Sequence, residues 1–209
     1  MFIAIAINAN AQEDFNRIRL EFNPSTMSYH GQNSDLGKIT VTGFTLGYEY
    51  GLSLSEGNEC YLVTGAKLQY NYKSKVRPYR ISQQFVNTRI TDRIMDVRIP
   101  VNFMYRFRLN DVLSIEPYAG LNATCYLFGK EKIELAGTIE ENLNIFDEDD
   151  MKEYGWDERH NRFLVGWQVG ADLLISGAFT VGFSYGTDFT DFGNESHWTH
   201  WSLGVGFCF

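Results

Sequence analysis

The sequence predicts an all-β protein, an eight-stranded antiparallel up-and-down transmembrane β-barrel, on three observations. From Ile94 to Leu109, the apolar or aromatic Met95, Val97, Ile99, Val101, Phe103, Tyr105, Phe107 and Leu109 alternate with Asp96, Arg98, Asn102, Arg106 and Arg108. A run of that length exceeds the roughly 5 to 6 residues of an ordinary strand and fits the roughly 9 to 11 that a tilted strand needs to cross a bilayer. Seven other stretches alternate in the same way, joined by connections that are long, short, long, short, long, short and long. Small residues collect on the polar side of these strands and bulky apolar ones on the other.

The opening MFIAIAINANA reads as the end of a secretory signal peptide, residues 1–11, closing on Ala9-Asn10-Ala11, with the barrel domain at 12–209. No Lys or Arg precedes Arg17, so the charged start of such a leader is missing; an apolar first strand is the other reading.

The first strand, about Asn16 to Asn23, sets Ile18, Leu20 and Phe22 against Arg17, Arg19 and Glu21, with Pro24 ending its regular pairing or marking a bulge. After a polar loop at His30–Lys38, the second, about Ile39 to Leu54, alternates Phe44, Leu46, Tyr48, Tyr50 and Leu52 with Gly43, Thr45, Gly47, Glu49 and Gly51. A tight turn at Ser55–Asn58 leads to the third, about Cys60 to Lys73, where Leu62, Ala66, Leu68, Tyr70 and Tyr72 oppose Gly65, Lys67, Gln69 and Asn71. A polar connection over Ser74–Arg93 precedes the fourth strand, Ile94 to Leu109, and Asn110-Asp111 turns into the fifth. There Ile115, Pro117, Ala119, Leu121, Ala123, Cys125 and Leu127 oppose Glu116, Tyr118, Gly120, Asn122 and Thr124.

Lys130–Asn161 is the longest connection. The sixth strand, about Arg162 to Ile175, and the seventh, Phe179 to Asp188, flank Ser176-Gly177, a two-residue hairpin signal. After a loop at Phe189–Trp198, the last strand carries Trp201, Leu203, Val205, Phe207 and Phe209 opposite Ser202, Gly204, Gly206 and Cys208. An even strand count with short turns at one end and long loops at the other is the plan of an outer-membrane barrel with both termini on the periplasmic side.

The same alternation would describe a soluble lipocalin-like barrel with its apolar face inward. Residue size decides against it. An eight-stranded barrel is just wide enough for side chains to fill, and Phe, Tyr, Trp, Leu and Ile from nearly every strand would overfill it. The other face carries Gly43, Gly47, Gly51, Gly65, Gly120, Gly166, Gly170, Gly182, Gly186, Gly204 and Gly206, which suit a narrow, tightly curved interior. Turning the fourth strand over would put arginines against lipid, at up to about 2 to 4 kcal/mol each near the midplane. Inside, Arg17, Arg19, Glu21, Glu49, Lys67, Asp96, Arg98, Arg106, Arg108, Glu116 and Asp172 supply both signs and can form a lumen charge network.

The formal charge of -8 argues against nucleic acid as a partner. Cys60, Cys125 and Cys208 lack CxxC spacing and indicate neither a disulfide framework nor a zinc site.

DVRIPVNFMYRF, PYAGLNATCYLF, RFLVGWQVGADLLI and the final WSLGVGFCF resemble the PorT-like and OmpX-like small outer-membrane β-barrel families, over about Gln12 to Phe209. The resemblance implies an assembly signal in the closing strand, formed by Gly204 with Leu203, Val205, Phe207 and Phe209, and hence a barrel-assembly machinery as partner. It fixes architecture and leaves activity open, because such barrels serve as adhesins, secretion accessories, envelope tethers and enzymes.

Three groups of residues invite chemistry. Asp147, Glu148, Asp149, Asp150, Asp157 and Glu158 could hold a divalent cation, yet they lack EF-hand spacing and read as a solvated loop. Ser196 with His197, His200 or His160 invites comparison with lipid A deacylases and acyltransferases of the outer membrane; neighbours on an extended chain point apart, so Ser196 and His197 would not meet. Trp156, Trp167, Trp198 and Trp201, with Tyr48, Tyr50, Tyr70, Tyr72, Tyr105 and Phe107, read as interfacial aromatic girdles rather than sugar platforms.

The sequence thus leads to a monomeric, non-enzymatic outer-membrane barrel with a filled lumen and no cofactor, catalytic residue or metal site, in contact with outer-membrane lipid and lipopolysaccharide. Its role would be envelope structure, or docking of another envelope protein through Ser74–Arg93 and Lys130–Asn161. A lipid A-modifying enzyme is the alternative, and a soluble ligand-binding barrel a further one.

Overall fold

A computed structural model describes residues 14–29, 38–55, 57, 59–81, 84–135, 139–153, 160–193 and 196–209. The expected leader 1–11, the loop at 30–37 and Trp156, Asp157, Glu158 and Glu195 lie outside them. The elements are β1 (Phe15–Tyr29), β2 (Lys38–Ser53), β3 (Cys60–Ile81), β4 (Gln84–Tyr105), β5 (Phe107–Arg108), β6 (Leu113–Leu135), β7 (Ile139–Asn144), α1 (Glu148–Glu153), β8 (Phe163–Ile175), β9 (Phe179–Asp188) and β10 (Ser196–Cys208). The strands pair antiparallel in the order β1-β2-β3-β4-β6-β8-β9-β10, with β10 returning to β1, so eight strands close into a ring, and β5 and β7 are added on β6. Closure leaves no unpaired edge along the shared part of the ring, the condition for crossing hydrocarbon.

Parity decides what each side chain meets. On β1, Arg17, Arg19, Glu21, Asn23 and Ser25 are buried in the lumen while Ile18, Leu20 and Phe22 face out. The same holds around the ring, with Phe44 (63%), Phe103 (53%), Leu121 (54%) and Leu203 (60%) exposed on the outer surface. A continuous apolar belt of this kind far exceeds the few hundred Å² that a water-soluble monomer leaves bare. On β6 the belt runs from Ile115 to Leu127, about 40 Å of strand, which a tilt of about 45° reduces to about 28 Å, close to the thickness of a bilayer core. The lipocalin-like arrangement is therefore reversed: the bulky face is outside and the lumen is polar.

The turns follow their side chains. Ser176 (φ 52°) and Gly177 (φ 71°) form the two centres of a hairpin turn in which Ala178 N–H donates to the Ile175 carbonyl at 3.1 Å, the double positive-φ geometry that matches strand twist. Asn110 Oδ1 accepts from the amides of Val112 and Leu113 at 2.9 and 2.8 Å, closing the turn before β6. β1 does not stop at Pro24: the residue pairs with Thr42 and the strand continues to Tyr29.

The long connections are where structure and expectation part. The described residues of Ser74–Arg93 are strand rather than loop; β3 and β4 stay paired from Lys73↔Asp92 to Ile81↔Gln84. The Lys130–Asn161 connection begins as a continuation of β6, which pairs with both β4 and the added strand β7, before α1. β3, β4, β6 and β7 thus build a four-stranded sheet that projects past the apolar belt. At the step from Met95↔Phe128 to Asp96↔Tyr126, Leu127 has no partner, and this bulge shifts the buried positions from 122, 124 and 126 below it to 129 above.

Candidate functional site

From the turn end upward the lumen is stratified. At the bottom, Phe15, Tyr61, Val63 and Met104 form an internal apolar plug, with the guanidinium of Arg106 over the Tyr61 ring at 4.6 Å and that of Arg17 over Phe15 at 4.9 Å. Pattern reading missed this plug, since it assigned the inward side to small and polar residues.

Above it lies the charge network. Arg17 reaches Glu116 (2.5 Å), Asp172 (2.7 Å) and Glu49 (3.6 Å); Arg19 reaches Asp172 (2.5 Å) and Glu21 (3.0 Å). Lys67 Nζ sits 2.9 Å from both Glu21 and Glu49, and Arg106 Nε 2.7 Å from Glu116. Four cations (Arg17, Arg19, Lys67, Arg106) face four carboxylates (Glu21, Glu49, Glu116, Asp172), so the layer is neutral as a whole. Such burial is tolerable only when each charge is paired and hydrogen-bonded. Glycines make the room: a Cβ on Gly182 would stand 1.6 Å from Asp172 Oδ1, and one on Gly204 2.8 Å from Glu21 Cγ. The structure thus brings together eight of the eleven charges expected in one network. Arg108 is a correction: it lies in β5 beyond the closed part of the lumen and is exposed.

Asp96 and Arg98 occupy a second, higher layer with two residues the sequence reading did not group with them, Asp188 and His200. Arg98 Nη2 lies 3.4 Å from each ring nitrogen of His200, His200 Nε2 3.6 Å from Asp188 Oδ2, and Ser25 Oγ 2.9 Å from His200 Nδ1. Asp96 is within electrostatic range of Arg98 and Asp188. Ser196 is elsewhere: it is buried and its hydroxyl donates to the Gly193 carbonyl at 2.5 Å, so it does not meet His200.

A lid of apolar side chains closes the lumen over this layer. Met27, Val41, Ile94, Tyr126, Leu164 and Trp198 come from the strands of the ring, and Leu143, Phe146, Met151 and Phe192 fold in from β7, α1 and the connections beside them. Trp198 is thus not a girdle residue. It shares the inward parity of His200 and Ser202 and is 3% exposed, packed on Phe192. Of the others, Tyr105 and Phe107 pack at a tilt with ring centroids 4.4 Å apart near the turn end, and Trp167, Tyr185 and Trp201 form a row on β8, β9 and β10. The acidic tract caps α1: Asp147 Oδ1 accepts from the amide of Asp149 at 3.0 Å, and Asp150 Oδ2 accepts from the Asn144 amide at 2.9 Å.

Above the lid is an open cup of 240 Å³. Its floor is the lid itself; its rim carries Lys73 and Lys75 from β3, Asp92 from β4 and Glu131 from β6. Lys73, Asp92 and Glu131 stand in one cross-strand row. Burial, with Asp92 beside it, pushes the Glu131 carboxyl up to about 7. Burial lowers His160, stacked on Phe192 at 4.4 Å in the cup wall, to about 4. Sequence reading missed the cup because its walls come from segments that read as loops.

Residues 1–209 match the family described as outer membrane protein beta-barrel domain. No curated protein matches in sequence. Among solved structures the chain is similar to Ail, the attachment invasion locus protein of Yersinia pestis, in complex with the heparin analogue sucrose octasulfate (16% identity, 95% of this chain and 100% of that one, TM-score 0.46). It is also similar to Neisserial surface protein A (12%, 92% and 96%, 0.48) and to the outer membrane enzyme PagL (11%, 91% and 97%, 0.51). At these identities the likeness is one of fold alone.

Proposed function

We propose, from the premise that this chain belongs to the outer membrane protein beta-barrel domain family, that it is a non-enzymatic, monomeric docking component of the bacterial envelope whose working face is its loop end. The observation that carries this reading is the four-stranded sheet of β3, β4, β6 and β7 projecting past the apolar belt. Strands that only needed to cross lipid would stop near Tyr72 and Leu127. Among the described residues, β3 beyond Tyr72 pairs only with β4, and β7 only with β6, so the sheet offers edges to which a partner strand can add.

The lumen supports docking over transport. A neutral ion-pair layer and an apolar lid fill the cross-section, and water-filled diffusion channels belong to barrels of about 16 strands. The likeness of the strand motifs to PorT-like proteins fits a secretion or assembly accessory, with lipopolysaccharide around the loop end, termini in the periplasm, and the outward Leu203, Val205, Phe207 and Phe209 read by the assembly machinery. The non-enzymatic reading rests on Ser196 being spent on Gly193, and on His200 and Ser25 lying beneath Trp198 and Met27.

Deleting 74–91 tests the role. The shortened chain is expected to fold, seen as retained heat-modifiable mobility on gels, and to lose the envelope protein that the full chain retains from detergent-solubilised membranes. Retention of that protein by the shortened chain would refute docking through the sheet. Alanine at Ser196 and at His200 should leave the lipid A mass profile unchanged; a shift would favour the enzyme.

A further inference from the structure

The outward face of the sheet, where β3, β4 and β6 leave the belt, carries a charge pattern of its own. Register gives its rows from the belt upward: Leu68 pairs with Val97, Tyr70 with Met95, and Tyr72 with Arg93, which in turn faces Lys130 on β6. Leu68, Tyr70 and Tyr72 are exposed on the outer surface, and so are Arg93 and Lys130, the first outward charges above the belt on these strands. Like charges directly opposite each other on one face of a sheet are destabilising. The surroundings do not relieve this pair. Its row continues to Thr42 and Pro24 on one side and to Asn144 on the other, all uncharged. Higher on the same face, Glu134 is taken by Lys132 at 2.9 Å and by Arg89 at 3.4 Å. Among the described residues neither Arg93 nor Lys130 has an ion-pair partner, on a chain whose overall charge is -8.

The belt below has a recess on the same strands. Ala66 is exposed on β3 beside larger neighbours and leaves a groove of 360 Å³ on the outer surface, lined by Ile18, Leu46, Tyr48, Leu68 and Val97. Arg93 stands four residues from Val97, about 13 Å of strand, with Tyr70 and Met95 as apolar ground between them. A groove in hydrocarbon with two unpaired cations at its upper end calls for a molecule with an alkyl chain and an anionic head. A free anion would leave the groove unused, and a zwitterionic head would bring its own ammonium against the pair. A phosphate monoester, with about 1.5 to 2 negative charges near pH 7 and three acceptor oxygens, matches two cations.

We infer that Arg93 and Lys130 clamp the phosphate monoester head of an outer-leaflet lipid, one of whose acyl chains runs along β3 and β4 into the groove at Ala66. The bound phosphate turns a repulsive pair into a bridged one. The inference goes beyond docking through the sheet and takes from that reading only the placing of the loop end at the outer leaflet.

The test uses the full chain in phosphatidylcholine vesicles, with phosphatidic acid or phosphatidylcholine spin-labelled near the end of one acyl chain, and counts motionally restricted lipid by electron spin resonance across lipid-to-protein ratios. One site per chain that prefers phosphatidic acid, beyond the annulus shared by both lipids, is expected. Arg93→Gln with Lys130→Gln should lower the preference by more than about tenfold. Ala66→Leu, which fills the groove, should weaken it several-fold, and excess inorganic phosphate should not displace the lipid. Equal restriction of the two lipids, or a preference unchanged by the glutamine pair or by Ala66→Leu, overturns the inference. Displacement by inorganic phosphate also overturns it, marking a site for the free anion. Should Ala66→Leu fail to fold, the glutamine pair, whose side chains are exposed, still decides. Absent preference with the envelope partner still retained would sink the lipid site and spare the docking reading. The deletion of 74–91 keeps Arg93 and Lys130, so a preference that persists while that deletion leaves partner retention intact would do the opposite.

Discussion

Replacing Arg17 by Met probes the centre of the lumen. Arg17 is 1% exposed and bridges Glu116, Asp172 and Glu49, which come from three different strands. Methionine keeps the bulk and removes the charge. Glu116 retains Arg106 and Asp172 retains Arg19, but four carboxylates then face three cations in a closed space. Leaving one buried charge uncompensated costs about 3 to 5 kcal/mol, roughly a fifth or more of the stability of an ordinary domain. Equilibrium urea unfolding in lipid vesicles, followed by tryptophan fluorescence, reads this loss. Adding Asp172→Asn restores three against three, so the double variant should recover at least about 1 kcal/mol relative to additivity. A loss under about 1 kcal/mol for the single change, or strict additivity in the cycle, would refute the claim that neutrality of this layer holds the ring together.

Other perturbations test neighbouring parts. Gly182→Leu places a side chain where Asp172 sits and should prevent heat-modifiable folding, whereas Gly177→Asn in the exposed turn should cost under about 1 kcal/mol by urea unfolding. Leu121→Arg on the outer belt should cost about 2 to 4 kcal/mol in vesicles, and Val76→Arg, exposed above the belt, almost nothing. As pH falls from about 6.5 to 4, the unfolded chain takes up a proton on His160 that the folded cap refuses, so His160 costs the cap stability in that window; protection factors at β7 and α1 should fall there relative to those of His160→Phe.

Strand identity and facing were legible wherever lipid forces a strict alternation. Ile94 to Tyr105 and Phe179 to Asp188 needed nothing beyond parity, because one wrong residue there costs kilocalories. The eight members of the ion-pair network followed from parity and sign. Past Tyr72 and Leu127 the strands have left the hydrocarbon, so no lipid demands alternation, and they read as loops. The bulge at Leu127, which sets Gly129 inward, leaves no mark in the pattern. Trp198, Phe192 and Met151 belong to the lid through contacts between distant segments, which periodicity does not carry. Arg108 fell out because β5 departs from the closed ring after Arg106.

The measurement nearest the centre of this account is spin-label accessibility along β6 in vesicles, one position at a time in a cysteine-free background. Labels at Ile115, Ala119, Leu121, Ala123 and Leu127 should be open to oxygen and closed to a water-soluble nickel complex, while labels at Lys130 and Lys132, past the bulge, should reverse that preference. Nickel access throughout 115–127 would mean that the bulky side of the strand does not face hydrocarbon, and the sealed barrel with its working loop end would have to be abandoned.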